Sequence, residues 1–118
     1  VMDVHNYPEP VAPPAEEKRA IVLGEFGGLG LPVPGHTWEQ KNWGYRNMTE
    51  STDLLRRYEA FYSVVRELVE KKGLSASVYT QTTDVETETN GLMTYDREVD
   101  KMGFENVRNA HRGTAGIR

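Results

Sequence analysis

The most constraining feature of the chain is a long periodic segment set between two strand-like runs. Leu54, Leu55, Tyr58, Phe61, Tyr62, Val65, Leu68 and Val69 recur at i, i+1, i+4, i+7, i+8, i+11, i+14 and i+15. That spacing gathers them into one apolar stripe of an α-helix. Thr49 or Ser51 is placed to cap the first free backbone N–H groups, Lys71-Lys72 complement the negative end, and Gly73 supplies a left-handed stop. Upstream, Ala20–Phe26 (AIVLGEF) is an unbroken apolar run suited to a strand covered on both faces. Downstream, Ala76–Thr80 (ASVYT) predicts the next strand. Strand, long helix and strand in that order call for a right-handed parallel crossover, so the fold class is α/β.

The flanks are less regular. Val1–Val4 reads as a short strand ending in the turn-prone Asn6-Tyr7-Pro8. Residues 8–14, PEPVAPP, hold four prolines and exclude helix or central strand, while Glu16–Arg19 predicts one helical turn. Residues 27–48, rich in Gly, Pro, Asn and Trp, form a connection longer than the about 12–15 residues beyond which loops tend to be functional or disordered. After the last strand comes the polar TQTTDVETETNG, where Asn90-Gly91 predicts a turn, and a second helix is expected from Asp96 to Asn109. The order is strand, loop, strand, helix, strand, loop, helix.

Composition removes several function classes. A net charge of -4 with no basic stripe argues against nucleic acid. No run approaches the ~18–20 apolar residues of a membrane span, and no basic amphipathic helix suits a membrane surface. The cysteine count is zero, which excludes disulfides and thiolate metal sites. The histidines are scattered, the acids Asp84, Glu86 and Glu88 fit no calcium loop and read as solvated, and no metal is expected. Gly27-Gly28-Leu29-Gly30 lacks the Lys-Ser/Thr of a phosphate loop. The chain holds one domain at most, shows no signal peptide, and opens directly on the strand-like VMDV, as a piece of a larger protein would.

In a parallel α/β layer, polar groups at the carboxyl ends of strands face the ligand site. Three strand ends here carry them: His5-Asn6-Tyr7, Gly24-Glu25-Phe26-Gly27-Gly28, and Thr80-Gln81-Thr82-Thr83-Asp84. Glu25 alone could be an ordinary solvated loop acid; convergence of three polar ends is what a polar ligand requires. Trp38 and Trp43 offer flat platforms for sugar C–H faces, or else anchor the long loop. His5 and His36 could contact sugar hydroxyls or make structural hydrogen bonds.

These residues resemble a known family. GEFGG after an apolar strand, DVHNYP before it and VYTQTTDVETETNGLMTYDRE after it are similar to glycoside hydrolase family 2, in its β-galactosidase-like branch. The resemblance covers residues 1–118. It implies the C-terminal fragment of a catalytic (β/α)8 barrel, strands six to eight with helices seven and eight. It further implies a retaining hydrolase without cofactor, Glu25 as nucleophile, Tyr7 as the phenol orienting it, and an extracytoplasmic (periplasmic or secreted) setting. His5, Asn6, His36, Trp38, Trp43, Gln81 and Asp84 are then candidate substrate contacts. The family's acid/base glutamate lies in an Asn-Glu pair, and none occurs in this chain. The expectation is therefore half of an active site for a carbohydrate substrate, inactive alone, with exposed sheet edges that favour self-association. The alternatives are a non-catalytic carbohydrate-binding or interaction module, or a hydrolase of the β-mannosidase or β-glucuronidase type. Gly24, Gly27 and Gly28 are expected to clear space for the sugar ring.

Overall fold

The apolar stripe forms the helix it predicts. In the computed structural model, which describes residues 1–114, the elements follow in the order β1 (Met2–His5), β2 (Ile21–Gly27), β3 (Leu29–Gly30), β4 (Arg46–Asn47), α1 (Ser51–Lys72), β5 (Leu74–Thr80) and α2 (Phe104–Arg112). Helix α1 buries Leu54, Tyr58, Phe61, Tyr62 and Val65. Gly73 ends it at φ 74°, a left-handed conformation that glycine adopts freely, and its N–H reaches the carbonyls of Leu68 and Val69. The helix start differs from expectation. Neither Thr49 nor Ser51 caps it; Glu50 holds the N-cap position in extended backbone, and its side chain makes no capping bond. Asp53 in the first turn supplies the favourable negative charge instead.

Strands β1, β2 and β5 form a parallel sheet in the order β1-β2-β5. Met2 and Val4 lie opposite Ile21 and Leu23, and Ile21 lies opposite Leu74 on the other side. These side chains share the face that packs on α1, where Ile21, Leu23, Phe26 and Leu74 are buried. The Phe26 ring is fully buried, edge-on to Tyr62 at 5.8 Å and to Tyr79 at 5.5 Å. The opposite face is open: Asp3 and His5 are exposed, and Val22, Gly24 and Glu25 are only half-buried. The run Ala20–Phe26 is thus covered on one face, not two. Among the described residues no layer covers the second face.

The expected partial (β/α)8 barrel is not formed. Among the described residues the sheet has three strands, is not closed, and contains one strand–helix–strand crossover, β2–α1–β5. The β1–β2 connection carries the proline-rich segment and no helix, so the strand–helix alternation that a barrel arc requires is absent there. The architecture is a small α/β layer. Residues 27–48 are not featureless either, since β3 and β4 pair in parallel and Leu29 and Leu31 are buried.

Three local expectations also change. Residues 16–19 are not helical; Glu16 and Arg19 form an ion pair across a bend. Helix α2 begins at Phe104 rather than Asp96, because Asp100 accepts the backbone N–H groups of Met102, Gly103 and Phe104 and folds the chain into a turn just ahead of it. Asn90-Gly91 is not the turn. Val85 and Glu88 exchange both backbone hydrogen bonds around one turn, and Thr94 accepts from Arg97 at the next. Gly91 serves close approach instead, since a Cβ there would lie 2.2 Å from the Asp84 backbone nitrogen.

Candidate functional site

The open ends of the parallel strands meet around Glu25. The β1–β2 register slips between Val4 and His5, so that His5 lies opposite Glu25. Beyond β1, the Asn6 N–H donates to the Glu25 carbonyl at 3.0 Å, and Pro8 accepts from the Gly27 N–H at 3.0 Å. These bonds hold Tyr7, which lies between them in sequence, over β2. The peptide bonds Tyr7–Pro8 and Thr80–Gln81, where β1 and β5 lead into loops, are both cis.

Three side chains then converge on one carboxylate. The Tyr7 hydroxyl donates to Glu25 Oε2 at 2.5 Å. It also lies 2.9 Å from Thr80 Oγ1, and a single phenolic proton cannot serve both, so Thr80 donates to the phenol oxygen. Burial, reinforced by the bond to Glu25, pushes the Tyr7 phenol up to about 12, so it keeps its proton and donates at neutral pH. His5 Nδ1 lies 3.5 Å from the same Glu25 oxygen, and its Nε2 lies 3.1 Å from Asp3 Oδ2. The Glu25 side chain is 44% exposed, which leaves it reachable from solvent.

An aromatic row borders this carboxylate. Tyr45 stacks flat on Tyr7, with ring centroids 3.9 Å apart and 2° between planes, and Trp43 meets Tyr45 edge-on at 5.4 Å. Trp43 and Tyr45 are both largely exposed. The glycines around Glu25 admit this packing. A Cβ on Gly28 would come within 2.5 Å of the Tyr45 ring, one on Gly27 within 2.3 Å of Tyr79, and one on Gly24 within 2.3 Å of Asp3.

The other candidate residues lie apart from this group. Asn6 turns its amide to the Glu9 carbonyl, and Gln81 donates to Asn90 Oδ1 at 2.7 Å. His36 Nδ1 lies 2.7 Å from Asp96 Oδ2, and Trp38 packs edge-on to Tyr95, so both link the long loop to the segment before α2. Asp84 was expected to be a solvated acid and is instead buried. Lys101 Nζ donates to its Oδ1 at 2.6 Å and to the Thr89 carbonyl at 2.9 Å, and the Gly91 N–H reaches the same Oδ1 at 2.7 Å. Burial dominates the acid–base behaviour of both, pushing the Asp84 carboxyl up and the Lys101 ammonium down, with their mutual bond opposing each shift.

Sequence reasoning placed Thr80 at a converging strand end but missed Asp3 and Tyr45 as members of the Glu25 group. Asp3 could have been found, since it sits two residues before His5 and shares its strand face. Tyr45 carried no signal beyond being an aromatic residue in a glycine-rich loop. His36, Asp96 and Glu98 also converge, with candidate ligand atoms within 4.8 Å of one another, an arrangement hidden because His36 and Asp96 lie 60 positions apart in the chain. Asp96 is held within its own loop by the Thr94 hydroxyl and the Glu98 amide, and His36 reaches it from the long loop. No protein-family model matches the chain, and no curated protein is significantly similar to it.

Proposed function

We propose that this chain supplies the nucleophile half of a retaining β-glycosidase site for β-galactosides or close relatives. The observation that carries the reading is the Tyr7–Glu25 pair: a solvent-reachable carboxylate with one oxygen held by a phenol, beside the exposed row Tyr45–Trp43. In such chemistry the carboxylate attacks the anomeric carbon, and the bond from that carbon to the leaving oxygen breaks. A protonated carboxylic acid ~5–5.5 Å from the nucleophile gives its proton to the departing oxygen, then as a base activates the water that releases the sugar. The chain has no Asn-Glu pair to supply that acid, so a second polypeptide segment brings it. Exposed Trp43 and Tyr45 stack on the C–H faces of the sugar.

The test uses an activated trap, 2,4-dinitrophenyl 2-deoxy-2-fluoro-β-galactoside. Its dinitrophenolate departs without protonation, so the missing acid is not needed. The expected product is one deoxyfluorogalactosyl group on the peptide containing Glu25, absent in Glu25→Gln. The pure chain should show no steady turnover of an aryl β-galactoside. An unlabelled chain defeats the reading, and steady turnover defeats the assignment of half a site. The aromatic row also fits a binding module without catalysis; in that case galactoside affinity stays the same in Glu25→Gln and no label forms. Self-association belongs to the same proposal, because the outer edges of β1 and β5 have no strand partner among the described residues. Light scattering that gives a sharp monomer at high concentration would refute it.

A further inference from the structure

The two oxygens of Glu25 are not equivalent. Tyr7 and His5 both address Oε2, at 2.5 Å and 3.5 Å, whereas Oε1 accepts no hydrogen bond among the described residues. His5 is itself held, because Asp3 Oδ2 lies 3.1 Å from its far ring nitrogen. The imidazole therefore bridges two carboxylates on adjacent parallel strands, and the register slip after Val4 brings it there.

We propose that Asp3 and His5 form a positioning dyad that acts through Glu25, fixing Oε2 jointly with Tyr7 and leaving Oε1 as the attacking oxygen. This deepens the glycosidase reading and rests on it. A carboxylate oxygen that accepts from Tyr7 and is paired with an imidazolium at His5 is restrained from swinging the free oxygen away from the line of attack, and misplacement by ~1 Å costs about a hundredfold in rate. Asp3 orients the ring so that Nδ1 faces Glu25. The charged and titratable groups facing His5 are Asp3 on its own strand, Glu25 from β2 and the Tyr7 phenol from the following loop. From β5 the group receives only the neutral Thr80 hydroxyl.

The test has two arms on the full chain. In the first, the Glu25 Cδ resonance and the His5 ring nitrogens are followed by NMR across pH without any sugar. The expected result is a step in Glu25 Cδ that coincides with the His5 titration and disappears in His5→Asn. Glu25 Cδ that ignores His5 overturns the dyad. In the second arm, trapping by the dinitrophenyl fluorogalactoside is resolved into a maximal rate and a half-saturating concentration. His5→Asn should slow the maximal rate about tenfold to a hundredfold and leave half-saturation unchanged. A raised half-saturation with unchanged rate makes His5 a substrate contact and overturns the positioning role. Should His5→Asn fail to fold, Asp3→Asn replaces it, with a smaller loss in the same rate expected. Labelling without NMR coupling defeats the dyad alone. Coupling without labelling defeats the glycosidase reading and with it the dyad's catalytic purpose.

Discussion

Replacing Lys101 with Met tests whether a buried ion pair organises the segment between β5 and α2. The two side chains are 0% and 2% exposed, and Nζ lies 2.6 Å from Asp84 Oδ1. At an effective dielectric of about 20, that separation corresponds to a gross attraction of about 6 kcal/mol, which is largely offset by a desolvation cost of several kcal/mol per ion. The net value of the pair is therefore small, but removing one partner strands the other. In Lys101→Met the Asp84 carboxylate keeps only the Gly91 N–H on Oδ1, and its Oδ2 is already without a partner. The expected loss is about 3–5 kcal/mol. A chain of 118 residues has about 6–18 kcal/mol of stability in total at about 0.05–0.15 kcal/mol per residue. With an unfolding entropy of about 2.1 cal/mol/K per residue, the loss lowers the melting temperature by about 12–20 °C. Urea denaturation at neutral pH reads it as a lower midpoint at constant slope.

The pH dependence gives a second check on the same variant. Without Lys101 the folded state disfavours the Asp84 charge, so its folded pKa lies above the unfolded value of about 3.9. The penalty is complete above the folded pKa and vanishes as pH falls toward the unfolded one. The deficit of Lys101→Met should therefore shrink on acidification from pH 7 toward about 4. Adding Asp84→Asn should recover part of the loss at neutral pH, since no charge then remains buried. A deficit below about 1 kcal/mol at pH 7, or one that acid leaves unchanged, would refute the argument.

Two further outcomes are expected. Gly91→Ala should destabilise the chain by about 1–3 kcal/mol, read by the same urea titration, because the added methyl meets the backbone of Asp84 and Thr83 at 2.2 and 2.3 Å. Hydrogen bonds from Thr94 and the pairing with His36 hold the Asp96 carboxyl down to about 2. Its contribution is thus present above the ordinary value of 3.8 and lost as pH falls from there toward about 2, so Asp96→Asn should flatten the acid limb of stability over that window.

What the sequence revealed was carried by periodicity and by glycine. The stripe from Leu54 to Val65 and the stop at Gly73 depend only on neighbours a few residues away, so helix α1 was legible. The strands either side followed from apolar runs, although the open second face of β2 did not, because an apolar residue reads the same whether or not a layer covers it. The region from Gln81 to Gly103 was opaque for a different reason. Its order depends on Asp84 meeting Lys101 and on Gly91 admitting the Asp84 backbone, contacts that no repeat encodes. A polar, turn-rich segment with a buried charge at its centre looks the same in sequence as one with none. Within the site, the DVHNYP and GEFGG stretches pointed to Tyr7 and Glu25, whose 2.5 Å bond is then geometry. Tyr45 reaches Tyr7 through the fold of a long loop, and no spacing announces that.

The row Tyr7–Tyr45–Trp43 has an optical consequence. Excited phenols pass their energy to a nearby indole, so Trp43 emission gathers light absorbed by the two tyrosines. Whatever displaces the flat Tyr45 ring changes that transfer. The molecule thus carries a built-in gauge of its own carboxylate's surroundings, readable in dilute solution without any attached dye.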